Sequence, residues 1–125
     1  MTALLKIGLV SVSDRASQGV YPDQGIPELK NWLEQALVDP FEVVERLIPD
    51  EQPEIERTLC KLVDEEHCHL VLTTGGTGVG PRDVTVEATL DLLTCELPGI
   101  MEAIRRHGAE KTPRALLSRG LAGVV

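Results

Sequence analysis

Apolar positions along this chain fall into short continuous runs that alternate with helix-spaced stripes. Leu4 to Val12 is a nearly unbroken apolar run, interrupted only by Lys6, Gly8 and Ser11. That is the pattern of a strand buried on both faces, as in a parallel sheet. Ser13, Asp14, Arg15, Ser17 and Gly19 follow as a polar loop at its C-terminal end. In open α/β sheets this edge binds ligands, although an ordinary solvated loop would read the same way. Gly25-Ile26-Pro27 opens a helix, with Pro27 in the first turn where proline is tolerated. Ile26, Leu29, Trp32, Leu33, Ala36 and Leu37 predict one apolar face, which assigns Trp32 to the core. Asp39-Pro40 ends this helix.

Phe41 to Ile48 alternates with charges on both sets, predicting a second strand less buried than the first. After Pro49-Asp50-Glu51, the positions Ile55, Leu59, Leu62 and Val63 mark a second helix, with Asp50 placed to cap it and Pro53 in its first turn. Asp64, Glu65 and Glu66 read as a solvated helix end. His67-Cys68-His69 does not read as a metal site, because Cys68 would point opposite to both histidines on a strand.

Leu70 to Thr85, reading LVLTTGGTGVGPRDVT, is the stretch around which the rest is arranged. A short apolar strand passes through Thr73 and Thr74 into a loop with four glycines, at positions 75, 76, 78 and 80. Arg82, Asp83 and Thr85 close it, and Val86, Leu90 and Leu93 predict a helix running to Leu93, capped by Thr85 with Glu87 in its first turn. Strand, glycine loop and helix start bring backbone N–H groups close to a phosphate. Pro81 breaks the dinucleotide fingerprint, and Pro81-Arg82 stands where a P-loop needs Lys-Ser/Thr. Further on, Glu96 to Gly99 reads as a break. Ile100, Met101, Ala103 and Ile104 predict a helix that carries Arg105 and Arg106 and ends near Gly108. Pro113 to Ser118 is a further helical segment stopped by Gly120, and Leu121 to Val125 is small and apolar.

The order strand–helix–strand–helix–strand–loop–helix implies a parallel sheet with helices on both faces. Its three strands then deliver Ser13-Asp14, Pro49-Asp50 and the glycine loop to one edge. Two carboxylates, Asp50 and Asp83, thereby surround one amide-rich pocket. Carboxylates beside a phosphate call for a mediator, and Mg²⁺ takes one or two of them together with phosphate oxygens and water. Arg82 and Arg15 can take phosphate charge directly.

Composition narrows the chemistry further. At 125 residues the chain has room for one domain, and its charged fraction of 26% is that of an ordinary globular protein. Trp32, Tyr21 and Phe41 are its only aromatic residues, so the core is aliphatic. A net charge of -8 argues against nucleic acid as a partner. No stretch reads as a signal peptide or a membrane span. Cys60, Cys68 and Cys95 fit neither a disulfide framework nor a zinc pattern, as expected of reduced cytoplasmic cysteines.

TTGGTG followed by PRDVT, with LVSVSDRAS, GVYPDQGIP, RLIPDEQ, ELPGI and ALLSRGLAGV in the same order, resembles the MogA-type molybdopterin adenylyltransferases of the MoaB/MogA family. The resemblance implies a three-layer α/β sandwich with a mostly parallel central sheet, residues 1–125 forming a single domain. It also implies Mg²⁺-dependent transfer of AMP from ATP to molybdopterin, with Asp50 and Asp83 as catalytic, metal-linked acids. Ser13, Asp14, Thr74, Gly75, Gly76, Thr77, Gly78, Arg82, Ser118 and Arg119 are the substrate-binding positions it carries. A cytoplasmic homotrimer and a molybdate-insertion enzyme as partner are implied in the same way. In that family another strand, an Asn-Leu-Pro-Gly-x-Pro loop and a closing helix follow, so the domain is expected to be C-terminally incomplete here. CinA-type relatives differ, with a loop resembling TGGLGPTxDD. Two alternatives stand beside the enzyme: a MoaB-like role, and a non-catalytic module that binds molybdopterin or oligomerises.

Overall fold

The computed structural model describes residues 4–125, and its centre is a three-stranded parallel sheet. Strand β1 (Leu5–Val12) lies between β2 (Phe41–Ile48) and β3 (Leu70–Thr74). Ile7 sits opposite both Val43 and Leu70, and Ser11 opposite Leu47 and Thr74. The central position explains why β1 reads as continuously apolar, and the edge position of β2 explains the charges on both its sets. Between the strands run a short α1 (Asp14–Ser17), α2 (Gly25–Ala36) and α3 (Gln52–Asp64). After β3 come α4 (Thr85–Leu90), β4 (Cys95–Glu96), α5 (Pro98–Ala109), a 3₁₀ turn (Pro113–Leu117) and β5 (Gly123–Val124).

Side chains of β1 alternate between two cores. Ile7 and Leu9 pack under α2 with Ile26 and Leu33, whereas Val10 and Val12 pack under α3 and α4 with Ile55, Leu59, Leu62 and Ala88. Helices therefore cover both faces, giving the three-layer α/β architecture expected from the pattern. Leu62 is wholly buried, so its truncation to alanine would cost about 2–5 kcal/mol.

Four local expectations are corrected. Trp32 is 59% exposed, because the buried stripe of α2 is centred on Ile26 and Leu33 and a residue six positions from Ile26 falls roughly 120° away. Asp50 does not cap α3: Glu51 occupies the cap position without a side-chain bond, and the Asp50 carboxylate is turned toward Asp14. Thr85 is the first residue of α4 rather than its cap, and that helix ends at Leu90, short of Leu93. The break at Glu96 contains β4, which pairs antiparallel with β5.

Candidate functional site at the C-terminal sheet edge

All three parallel strands end on the same edge, and their loops are tied to one another there. The Ser13 amide donates to the Ile48 carbonyl at 2.8 Å, joining the ends of β1 and β2. Ser13 Oγ accepts the Ala16 amide at 3.2 Å and so caps α1. Beyond it, Asp14 and Asp50 form a reciprocal bracket. The Asp14 amide donates to Asp50 Oδ2 and the Asp50 amide donates to Asp14 Oδ1, both at 2.9 Å. Each aspartate thus fixes the backbone that carries the other.

Arg82 crosses from the glycine loop to this bracket. Its Nε and Nη2 donate to Asp14 Oδ2 and Oδ1, both at 3.0 Å, and Nη2 also donates to Glu51 Oε1 at 2.9 Å. The guanidinium beside it, helped by the Asp50 amide, holds the Asp14 carboxyl below the usual carboxylate range. The two acids in turn hold the Arg82 guanidinium more firmly protonated than usual. Arg82 Nη1 makes no hydrogen bond among the described residues, so one edge of this half-exposed cation remains open.

Asp50 experiences the opposite balance. Loss of hydration pushes its carboxyl up, and the charges of Asp14 and Asp83 add to the rise against the Asp14 amide bond and Arg82. Three carboxylates therefore crowd one edge, with Asp14 compensated by Arg82 and Asp50 the one held up.

The glycine loop adopts a shape that only glycine permits at two positions. Gly75 and Gly76 have φ of 95° and 71°, in the left-handed region. A Cβ on Gly75 would collide with the Val12 carbonyl oxygen, and one on Gly76 with Thr85 Oγ1 while meeting Asp50 Oδ1 at 3.3 Å. The loop thus passes directly over the end of β1 and beside Asp50. Thr85 clasps it from below, its hydroxyl donating to the Gly75 carbonyl at 2.9 Å and its amide to the Gly76 carbonyl at 3.1 Å. Asp83 faces the far limb, accepting the Gly80 amide on Oδ2 at 2.9 Å.

Two concavities border Gly75. One, of about 220 Å³, is lined by Thr73, Thr77, Thr85, Thr89, Met101 and Ser118. The other, of about 370 Å³, is lined by Ser11, Ser13, Tyr21, Asp23 and Gln24, and Thr74 borders both. The positions Ser13, Asp14, Asp50, Thr74, Gly75, Gly76, Thr77, Gly78, Arg82 and Asp83 are therefore neighbours at one edge. Ser118 reaches it through its hydroxyl, 3.3 Å from that of Thr77. Arg119 reaches the loop but donates into its carbonyls. Arg15 is exposed and makes no side-chain bond among the described residues.

Sequence reasoning passed over Asp23. Its Oδ1 accepts from Ser11 Oγ at 2.7 Å and the Gly25 amide at 3.2 Å, and its Oδ2 accepts the Ile26 amide at 3.0 Å. Burial alone would raise this carboxyl, but the Ser11 hydroxyl and the two amides outweigh it and hold it low. An aspartate just ahead of Gly25-Ile26-Pro27 was the available signal, since such a residue caps the helix that follows.

Comparison with known proteins supplies the context for this edge. A family model described as "Probable molybdopterin binding domain" matches residues 8–125. A molybdopterin adenylyltransferase from Haemophilus influenzae is 68% identical over 119 residues, covering 95% of this chain and 60% of its own length. One from Helicobacter pylori is 42% identical over 120 residues, covering 96% of this chain and 68% of its own length. Among solved structures, the molybdopterin biosynthesis enzyme MoaB from Thermus thermophilus matches with a TM-score of 0.86 at 43% identity, over 97% of this chain and 75% of that one. The chain spans 60% of the length of the Haemophilus relative, less than two thirds.

Proposed function

Because the chain belongs to the MoaB/MogA family of molybdopterin-binding domains, we propose that it acts in molybdenum-cofactor biosynthesis, transferring AMP from ATP to the terminal phosphate of molybdopterin. The observation that carries this reading is the convergence of Asp50, Asp83 and the open edge of Arg82 on one glycine loop. In the transfer, an oxygen of the molybdopterin phosphate attacks the α-phosphorus of ATP. One P–O bond forms, the bond to the β-phosphate bridging oxygen breaks, and pyrophosphate leaves with that electron pair. No protein nucleophile is required. The chain's task is to align two phosphorylated ligands and to offset their charge.

The donor set fits Mg²⁺. Asp50 and Asp83 offer hard carboxylate oxygens beside the loop; loss of hydration is what chiefly raises Asp50, and the smaller contribution from the Asp14 and Asp83 charges is the kind a divalent cation relieves. Among the described residues no group of three or more acidic, His or Cys side chains is gathered around one point. Mg²⁺ takes one or two carboxylates, with phosphate oxygens and water completing its shell. When bound, it would neutralise charge on the transferring phosphates. Arg82, released from Glu51 or turned on its open edge, would bind phosphate oxygens directly. The backbone of Gly75 to Gly78 lets a ligand approach closely, because Gly75, Gly76 and Gly78 bring no side chain of their own to the loop.

The test is pyrophosphate release by the folded chain with ATP, Mg²⁺ and molybdopterin. Release that depends on molybdopterin supports the reading, and its absence from a chain that still binds molybdopterin would overturn it. A MoaB-like or purely molybdopterin-holding role is the second reading, favoured by the likeness to the Thermus structure; binding without pyrophosphate release is its signature. Assembly as a homotrimer, a cytoplasmic setting and delivery of product to a molybdate-insertion enzyme belong to the same proposal and rest on family resemblance. Among the described residues no helix is long and apolar enough to cross a membrane.

A further inference from the structure

We infer that Arg119 is a positioning residue that sets the shape of the glycine loop and the aim of Asp83, rather than a ligand for substrate phosphate. This rests on the adenylyl-transfer reading for its catalytic consequence, and on geometry alone for its structural one. Arg119 forms four hydrogen bonds with its five N–H groups, all to the protein. Nε donates to the Gly78 carbonyl at 2.7 Å and Nη2 to the Asp83 carbonyl at 2.9 Å. Nη1 and Nη2 grip the two oxygens of Glu87 on α4 at 3.0 and 3.1 Å.

The Gly78 and Asp83 carbonyls are the two ends of one turn. Between Gly78 and Asp83 the chain reverses, with the Asp83 amide donating to the Gly80 carbonyl at 3.1 Å and the Gly80 amide to the Asp83 carboxylate at 2.9 Å. By holding the Gly78 and Asp83 carbonyls together, the guanidinium fixes the peptide from which the Asp83 carboxylate projects. Glu87 fixes the guanidinium in turn, and the contact pulls its own carboxyl below the usual range.

Arg119 is itself anchored from behind. Its amide donates to the Thr77 carbonyl at 2.8 Å, the Ser118 hydroxyl meets that of Thr77, and Arg105 of α5 donates to the Gly120 carbonyl at 2.8 Å. Residues 118–120 therefore form a strap between α5 and the outer side of the loop. Arg82 makes a useful contrast. It has an unbonded Nη1 and stands over the carboxylate bracket, whereas Arg119 has four of its donors committed to the protein. A planar fork that bridges four acceptor oxygens on three residues cannot be replaced by a lysine ammonium, which carries the same charge on a single point.

The test combines amide hydrogen exchange with turnover in wild type, Arg119→Ala, Arg119→Lys and Glu87→Gln, each in the full chain. Exchange at Gly80 and Asp83 should rise at least about tenfold in Arg119→Ala and nearly as much in Arg119→Lys, with a smaller rise in Glu87→Gln and β1 amides unchanged. Adenylyl transfer should fall at least about tenfold in Arg119→Ala, yet by less than about twofold when the same change is made in an Asp83→Asn background. Unchanged exchange at Gly80 and Asp83 overturns the inference, as does a transfer loss that persists in full without the Asp83 charge. Full function in Arg119→Lys would also overturn it, because charge alone would then suffice. Should Arg119→Ala lose β1 protection through unfolding, Arg119→Lys and Glu87→Gln decide the question. If wild type releases no pyrophosphate, the functional reading fails while the exchange measurement still decides the role of Arg119.

Discussion

Replacing Asp50 separates its two roles, because its oxygen and its charge do different work. Its Oδ2 is the acceptor for the Asp14 amide, and its own backbone amide is held by Asp14 whatever side chain it bears. Asp50→Asn keeps an oxygen for that bond and loses the charge. The weaker neutral hydrogen bond costs roughly 0.5–1.5 kcal/mol. Against this, removing a charge that lacks hydration and faces Asp14 and Asp83 favours the folded chain at neutral pH. The two effects oppose each other, so Asp50→Asn should melt within about 5 °C of wild type. Asp50→Ala leaves the Asp14 amide without its acceptor, at about 1–3 kcal/mol, and should melt at least about 4 °C below the Asn variant. Turnover should nevertheless fall at least about a hundredfold in both, the scale of one lost electrostatic contact in the transition state. The sign with pH follows from the raised carboxyl. The folded chain holds that proton more tightly than the unfolded one, so ionisation of Asp50 costs stability as pH rises through and above 3.8, its ordinary value. The advantage of Asp50→Asn over wild type should accordingly grow across that window and level off at neutral pH. Calorimetric melts and pyrophosphate release measure both quantities. Wild-type turnover in Asp50→Asn would show the carboxylate to be a bracket only, and equal melting of the Asn and Ala variants would show that the bracket contributes nothing.

Three further outcomes can be checked independently. Gly76→Ala forces a left-handed residue and a Cβ against the Thr85 hydroxyl, so urea unfolding should show a loss of at least about 2 kcal/mol; a midpoint matching wild type would refute the loop geometry. Because Arg82 depresses the Asp14 carboxyl, the stability it lends is present above the ordinary carboxylate value and is lost as pH falls through the lowered one. Arg82→Gln should therefore begin acid unfolding at a higher pH than wild type when followed by circular dichroism, and superimposable curves would contradict the ion pair. Trp32 is the sole tryptophan and is largely exposed, so native fluorescence should be red-shifted and readily quenched by acrylamide; a blue-shifted, protected signal would return it to the core.

The parallel sheet was legible in the sequence because burial on both faces leaves a continuous apolar run, as in Leu5–Val12, and an edge strand leaves a mixed one, as in Phe41–Ile48. The glycine loop was legible because Gly75 and Gly76 must stand where a Cβ would strike Val12 and Thr85. What sequence could not supply were contacts set by tertiary geometry. The Asp14–Asp50 bracket spans 36 positions, and nothing local distinguishes an aspartate that caps the next helix from one turned toward a distant amide. Thr85 likewise resembles a cap by type, yet its hydroxyl is taken by a carbonyl ten residues earlier. The β4–β5 pairing involves only two residues on each strand, too few to leave an alternating pattern. Trp32 shares the three-and-four spacing of the apolar positions on α2, but the stripe that is buried is narrower than that spacing implies and is centred on Ile26 and Leu33.

The mutual bracket between Asp14 and Asp50 also bears on how such a domain could lose its chemistry over generations. Aspartate and asparagine codons differ by a single base, and asparagine at position 50 would still offer an oxygen to the Asp14 amide. On the proposed adenylyl-transfer reading, one mutational step at Asp50 would silence transfer while retaining a foldable, ligand-shaped surface open to selection as a scaffold.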